Sequence, residues 1–90
     1  MKIGYVYVLR CNDNSYYVGA TKNYKARLIK HGGGRVKYTK SRLPIELIFL
    51  KKFASFGLAL SFERRIKSWK KRKSIERMLN KSDNLVRNTE

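Results

Sequence analysis

The chain carries one histidine, His31, and six carboxylates against 22 lysines and arginines. Groups this scarce are where side-chain chemistry is to be sought. Asp13 falls in a run of turn formers, Asp83 and Glu90 in the C-terminal segment, Glu76 among basic residues near the end, and Glu46 at the start of an apolar run. Glu63 is the acid that lies beside the apolar stripe of a helical pattern. A carboxylate so placed has three uses: pairing with Arg64 or Lys67 on the surface, anchoring a buried arginine, or holding a divalent metal that meets a phosphate. Arg27 and His31 are four residues apart and share one helical face. Near the N-terminus, Tyr5, Tyr7, Tyr16 and Tyr17 flank a short polar break. Tyrosine, arginine, histidine and glutamate together suit phosphodiester hydrolysis. The attacking water must lose a proton, and the extra negative charge at phosphorus needs a cation or an arginine. A tyrosine is a weak base at its ordinary pKa of ~10, but cationic surroundings and a metal favour the phenolate.

The charge points the same way. A net +16 on 90 residues attracts polyanions, of which nucleic acid is the commonest in a cell. Two other readings stand beside it. A solubilising surface needs a net charge of only about 2–8 on a small domain. An anionic membrane surface needs a basic amphipathic helix with bulky apolar residues left outside. No run approaches the ~18 uninterrupted apolar residues of a membrane span, and no signal-peptide pattern opens the chain. The expectation is a cytoplasmic protein with no membrane partner. Cys11, the single cysteine, has no disulfide partner within the chain, and one Cys with one His builds no zinc site.

Positioning these groups falls to a short list of elements. Residues 3–11 alternate, with Ile3, Tyr5, Tyr7 and Leu9 on one face and Gly4, Val6, Val8 and Arg10 on the other, as in a strand. Asn12-Asp13-Asn14-Ser15 supplies a hairpin loop, and Tyr16 to Ala20 a second strand. Thr21 or Asn23 caps a helix from Tyr24 to His31, stopped by Gly32-Gly33-Gly34. Residues 32–43 read as basic and irregular. Glu46 to Phe53 is nearly continuous in apolar residues and reads as a third strand buried on both faces. A long helix from about Leu58 to Leu79 carries Ala59, Phe62, Ile66 and Trp69 as its stripe, with a break near Ser74. Residues 81–90 read as a frayed polar tail. The expected fold is a single α+β domain over residues 1–80, a three-stranded antiparallel sheet flanked by helices in the order β-β-α-β-α.

Tyr5-Val6-Tyr7, followed ten residues on by Tyr17-Val18-Gly19, resembles the paired motif of the GIY-YIG nuclease superfamily. The segment from Asn23 to His31 resembles that family's arginine- and histidine-bearing helix, Thr39-Lys40 with Pro44 fits its next stretch, and Ala59 to Trp69 resembles the helix that bears its glutamate. The likeness spans residues 3 to about 79 and is greatest to the small stand-alone bacterial branch, related to the nuclease modules of the bacterial excinuclease and of phage homing endonucleases. The first motif departs in having Tyr5 at the glycine position, with Gly4 next door.

The resemblance implies a role at each matching position. Tyr7 would position or activate the water, and Tyr17 would contact the scissile phosphate or order the water. Gly19 would allow close backbone approach, or serve the turn into the helix. Arg27 would neutralise the phosphate, His31 would assist proton transfer, and Glu63 would be the protein ligand of Mg2+ or Mn2+. Asn80 and Asn84 are candidates for the family's asparagine. The implied function is a metal-dependent endonuclease acting on DNA, with RNA not excluded, in repair or recombination. The alternative is a nucleic-acid-binding module of the same fold with little cleavage. Lys22, Lys25, Lys30, Arg35, Lys37, Lys40, Lys67 and Lys70 are the expected phosphate contacts. Tyr24 and Tyr38 read first as surface or core tyrosines and second as residues that stack on bases, while Tyr5, Tyr16 and Trp69 read as packing residues. So small a domain has little surface for reading long sequences, so the expected cleavage is structure-directed or weakly selective, by a monomer or weak homodimer.

Overall fold

The computed structural model describes residues 3–69, 71–81 and 83–86. Strands β1 (Gly4–Arg10) and β2 (Tyr16–Thr21) form an antiparallel hairpin in which Tyr7 faces Gly19 and Leu9 faces Tyr17. The Asp13 carboxylate shapes its loop by accepting from the Ser15 backbone N–H at 3.0 Å and the Ser15 hydroxyl at 2.6 Å. Strand β3 (Glu46–Phe53) pairs antiparallel with the other side of β1, so the sheet order is β2-β1-β3 and the first strand is the central one. Its mid-strand residues Val6, Tyr7, Val8 and Leu9 are all at or below 1% exposure, which requires cover on both faces.

One face is covered by α3 (Phe56–Ser68) and α4 (Arg72–Leu79). There Val6, Val8, Val18 and Phe49 pack with Ala59, Ile66 and Met78, and each fully buried aliphatic or aromatic side chain is worth roughly 1.5–3 kcal/mol. Ser55 caps α3, its side chain accepting from Leu58 N–H at 3.2 Å. The other face is covered by α1 (Tyr24–Gly32), against which Tyr7, Leu9 and Leu50 pack with Tyr5, Tyr17, Tyr24 and Leu28. Asn23 caps α1 by accepting from Ala26 N–H at 3.1 Å.

The end of α1 is fixed by backbone geometry. Gly34 has φ +76°, a left-handed conformation that a Cβ disfavours. With Gly34 so turned, its N–H donates to the His31 carbonyl at 3.1 Å and the Arg35 N–H to the Lys30 carbonyl at 2.9 Å. This is a Schellman closure, and it sets His31 on the last turn.

Three expectations are corrected. Residues 37–40, within the stretch read as irregular, form a helical turn, α2 (Lys37–Lys40), anchored by the fully buried Thr39. The long helix is two, α3 ending at Ser68 and α4 starting at Arg72, rather than breaking near Ser74, with the Trp69 N–H closing α3 onto the Ile66 carbonyl. Residues 83–86 are not frayed. The Leu85 N–H donates to the Leu50 carbonyl at 2.9 Å, and Lys51 pairs with Asp83 at 2.8 Å. Asn84, 2% exposed, accepts from Leu50 N–H at 3.2 Å and donates to the carbonyls of Ile48 and Leu79 at 3.0 Å each. Among the described residues, no helix is long and apolar enough to cross a membrane.

Candidate active site

On the α1 face of the sheet the packing turns polar around one phenol. The Tyr7 ring lies across Gly19 of β2, and a Cβ at position 19 would fall on the ring and its hydroxyl. Gly19 is therefore the slot for Tyr7, a third reading beside backbone approach and the turn into the helix. Tyr17 lies on the same face, its ring centroid 6.3 Å from that of Tyr7. Helix α1 crosses above and presents Arg27 and His31 on one side. The Arg27 Nε–H donates to the Tyr7 hydroxyl at 3.3 Å, and that hydroxyl is 2.9 Å from His31 Nε2. His31 Nδ1 is 2.8 Å from Thr39 Oγ1.

These bonds assign the proton positions. The Thr39 hydroxyl donates to the Val36 carbonyl at 3.4 Å, so its oxygen accepts from His31 Nδ1–H. Nε2 is then the acceptor, and Tyr7 donates to it. A directed chain runs from Arg27 through Tyr7 and His31 to Thr39. His31 and Thr39 are both fully buried, and no buried side-chain N or O atom among the described residues lacks a partner.

Burial governs the electrostatics. The His31 pKa is lowered to about 4, by desolvation first and by the positive charge of Arg27 second, so the imidazole is neutral at neutral pH. The Tyr7 phenol is raised above its ordinary value, because burial outweighs the hydrogen bond and charge of Arg27. The protein's own cations, taken without the metal of the expectation, do not favour the phenolate: Tyr7 is 1% exposed, and removing the anion from water costs more than one guanidinium returns. Arg27 is held more firmly protonated, first by its hydrogen bond with Tyr7 and also by the Tyr17 hydroxyl.

Glu63 projects from α3 with its side chain 16% exposed, and its Oε2 pairs with Lys67 Nζ at 3.2 Å. Its charge is felt at Tyr7, where it raises the phenol pKa. Among the described residues, no partner engages Oε1, and no group of three or more His, Cys, Asp or Glu forms a ready-made metal cage. One half-buried carboxylate with a free oxygen fits the way Mg2+ binds, through one or two carboxylates with water and substrate phosphate completing the shell.

The remaining expected residues divide by location. Lys22, Lys25, Lys30, Arg35, Lys37, Lys40 and Lys67 are exposed, while Lys70 lies outside the described residues. Lys22 and Lys30 line an open cleft of about 400 Å³ together with Arg27, Asn23 and Phe56, which gives Arg27 a route to solvent. Asn84 is absorbed in holding β3 and does not reach the cluster. Asn80 is exposed, and its side chain donates to the Glu76 carbonyl at 3.5 Å. Tyr5 and Tyr24 pack on each other at 4.8 Å. Thr39 is the residue whose part in the cluster sequence reasoning misses. A lone threonine between tyrosine and lysine gives no local sign of burial, because what it meets is His31 of α1, outside its own helix.

Residues 3–77 match the family described as GIY-YIG catalytic domain. A UPF0213 protein of Streptococcus pneumoniae is 46% identical over 85 residues, covering 93% of this chain and 83% of that protein. A UPF0213 protein of Staphylococcus epidermidis is 38% identical over 73 residues, covering 80% and 89%. Among solved structures, the solution NMR structure of a UPF0213 protein from Bacillus halodurans is similar at a TM-score of 0.61 and 33% identity, covering 97% of this chain and 93% of that one. With the family matched over most of the chain and the fold matched over nearly all of it, the chain belongs to the GIY-YIG catalytic-domain family.

Proposed function

We propose that this protein is a divalent-metal-dependent endonuclease that hydrolyses DNA phosphodiester bonds, structure-directed or weakly selective, with a place in DNA repair or recombination. The family is one of nucleases. The observation that carries the reading for this chain is the directed chain Arg27–Tyr7–His31–Thr39, set into a protein of net charge +16.

In this reading the Tyr7 hydroxyl donates to His31 and accepts from Arg27, which leaves its remaining lone pair to orient a water. As that water's oxygen bonds to phosphorus, its proton passes to Tyr7 and the Tyr7 proton passes to His31 Nε2. The ester oxygen leaves with the electrons of the broken P–O bond and is protonated from solvent. Since the His31 pKa is about 4, the imidazolium returns its proton to water rather than storing it. Arg27 and Tyr17 meet the charge that grows on the phosphoryl oxygens. Mg2+ or Mn2+ held by Glu63 would supply further neutralisation of that charge.

Incubation with nicked, branched and single-stranded DNA, with and without Mg2+ or Mn2+, tests the proposal. Cleavage is expected only with metal. It should fall about 10²–10³-fold in Arg27→Ala and Glu63→Ala, and by about 10²–10⁴-fold in Tyr7→Phe. Tight, salt-sensitive binding with no cleavage under either metal would instead identify a binding module.

A further inference from the structure

A second cleft, distinct from the one beside Arg27, runs along the outer edge of β2. That strand pairs with β1 on one side, and among the described residues no strand pairs with its other side. The cleft measures about 340 Å³, and its lining includes Tyr16, Tyr17, Tyr38, Trp69, Ile75 and Lys67. Four of its eight lining residues are aromatic, in a chain that is 12% aromatic overall. Both sides of the cleft are tied to the candidate active site: Tyr17 is stacked on Tyr7 at 6.3 Å, and Lys67 is paired with Glu63 at 3.2 Å.

We propose that this cleft takes an unpaired nucleobase of single-stranded DNA, belonging to a nucleotide next to the phosphate that is cut. The proposal rests on the nuclease reading above and narrows it to a substrate class. Every base offers a π-face to an aromatic wall, so such a slot binds strands without demanding a sequence. The charge around the rings suits the phosphates that accompany a base. The Arg72 guanidinium lies over Tyr16 at 3.8 Å and that of Arg42 over Tyr38 at 4.0 Å; they pair with Glu76 and Asp13, exposed contacts of small worth that a phosphate can replace. Among the described residues no strand takes up the backbone of the β2 edge, which adds donors and acceptors for a base edge. A base inside a duplex has both faces stacked and its edge paired, so it enters only after leaving the helix. That step costs a few kcal/mol, and least where the base is already unpaired.

Trp69 is the sole tryptophan and lines the cleft, so its fluorescence reports occupancy. The full chain, in chelator so that nothing is cleaved, is titrated with a short oligodeoxynucleotide, its duplex, a fully abasic strand of equal length, the matching ribonucleotide strand, and polyphosphate. The single strand should quench Trp69 and bind at least about tenfold more tightly than the abasic strand or polyphosphate. Tyr38→Ala should remove about that factor for the base-bearing strand alone, and Tyr38→Phe should keep it. Equal binding of all the polyanions with silent Trp69, or binding of the duplex as tight as that of the single strand, overturns the slot. Tighter binding of the ribonucleotide strand overturns its assignment to DNA. Cleavage is then read separately with Mg2+ restored. Cleavage without base-dependent binding keeps the nuclease and removes the slot, and base-dependent binding without cleavage does the reverse.

Discussion

On the side of the sheet covered by α3, β1 contributes Val6 and Val8, which pack in a cluster of aliphatic and aromatic side chains. On the side covered by α1 the same strand contributes Tyr7 and Leu9, and beyond Leu9 the buried material includes a phenol, an imidazole and a threonine hydroxyl. Alternation along one strand separates the two by a single residue. Dry packing holds the sheet to α3 without directional demands, and size and shape are all it needs. The α1 face is directional: each polar group there is satisfied by particular neighbours, so its stability depends on protonation and on the close fit of one ring.

Three experiments bear on that contrast. The largest effect is expected from Phe49→Ala on the dry face. Phe49 is fully buried and stacks with Phe62, so urea denaturation should show a loss of about 3–5 kcal/mol at every pH. A loss that instead depended on pH would mean the two faces are not separable.

Next in size is the response to acid. The His31 pKa is about 4 in the fold against 6.5 when free. The unfolded chain therefore binds more protons between these values, and stability rises with pH across the window. The contribution is fully present above about pH 6.5 and is lost as pH falls toward about 4, at most about 3 kcal/mol. Asp13 and Asp83 have carboxyls held below the ordinary 3.8, so their contributions are lost only under that window. Urea midpoints at pH 7 and pH 4.5 should differ in the wild type and much less in His31→Gln. A flat wild-type profile would show that His31 is not held neutral by burial.

The smallest stability effect is expected from Gly19→Ala, about 1–3 kcal/mol from overpacking. Its effect on cleavage should be disproportionate, about 100-fold, because the Tyr7 hydroxyl must move. Equal wild-type and mutant cleavage would show that the Tyr7 ring does not need its slot.

Legibility in sequence follows the same division. Alternation in residues 4–10, the Asn23 cap and the Gly34 stop are local signals, and they carry the two hairpin strands and α1. The apolar run at Glu46–Phe53 marks β3, and the Ala59–Phe62–Ile66 stripe marks α3. Asn84 cannot be read as buried, since an asparagine in a polar segment carries the signature of a surface residue. Its burial exists only because β3 offers backbone groups for it to satisfy. The one-turn α2 has neither period nor cap and is held by Thr39 against His31. Tyr7, Tyr17, Arg27 and His31 are legible in sequence and stand together in the fold. The direction of their hydrogen bonds, and the burial that raises the Tyr7 phenol rather than ionising it, depend on tertiary surroundings that no spacing encodes.

The docking of residues 83–86 on β3 has a consequence for solubility. An exposed strand edge recruits strands from other chains and is a common starting point for aggregation. Here the Leu85 N–H and both ends of the Asn84 amide occupy backbone groups of Ile48 and Leu50 on that edge, and a polar segment takes the place a foreign strand would fill. Asn84 and the Leu85 backbone together thus do for the middle of β3 what a fourth strand would otherwise have to do.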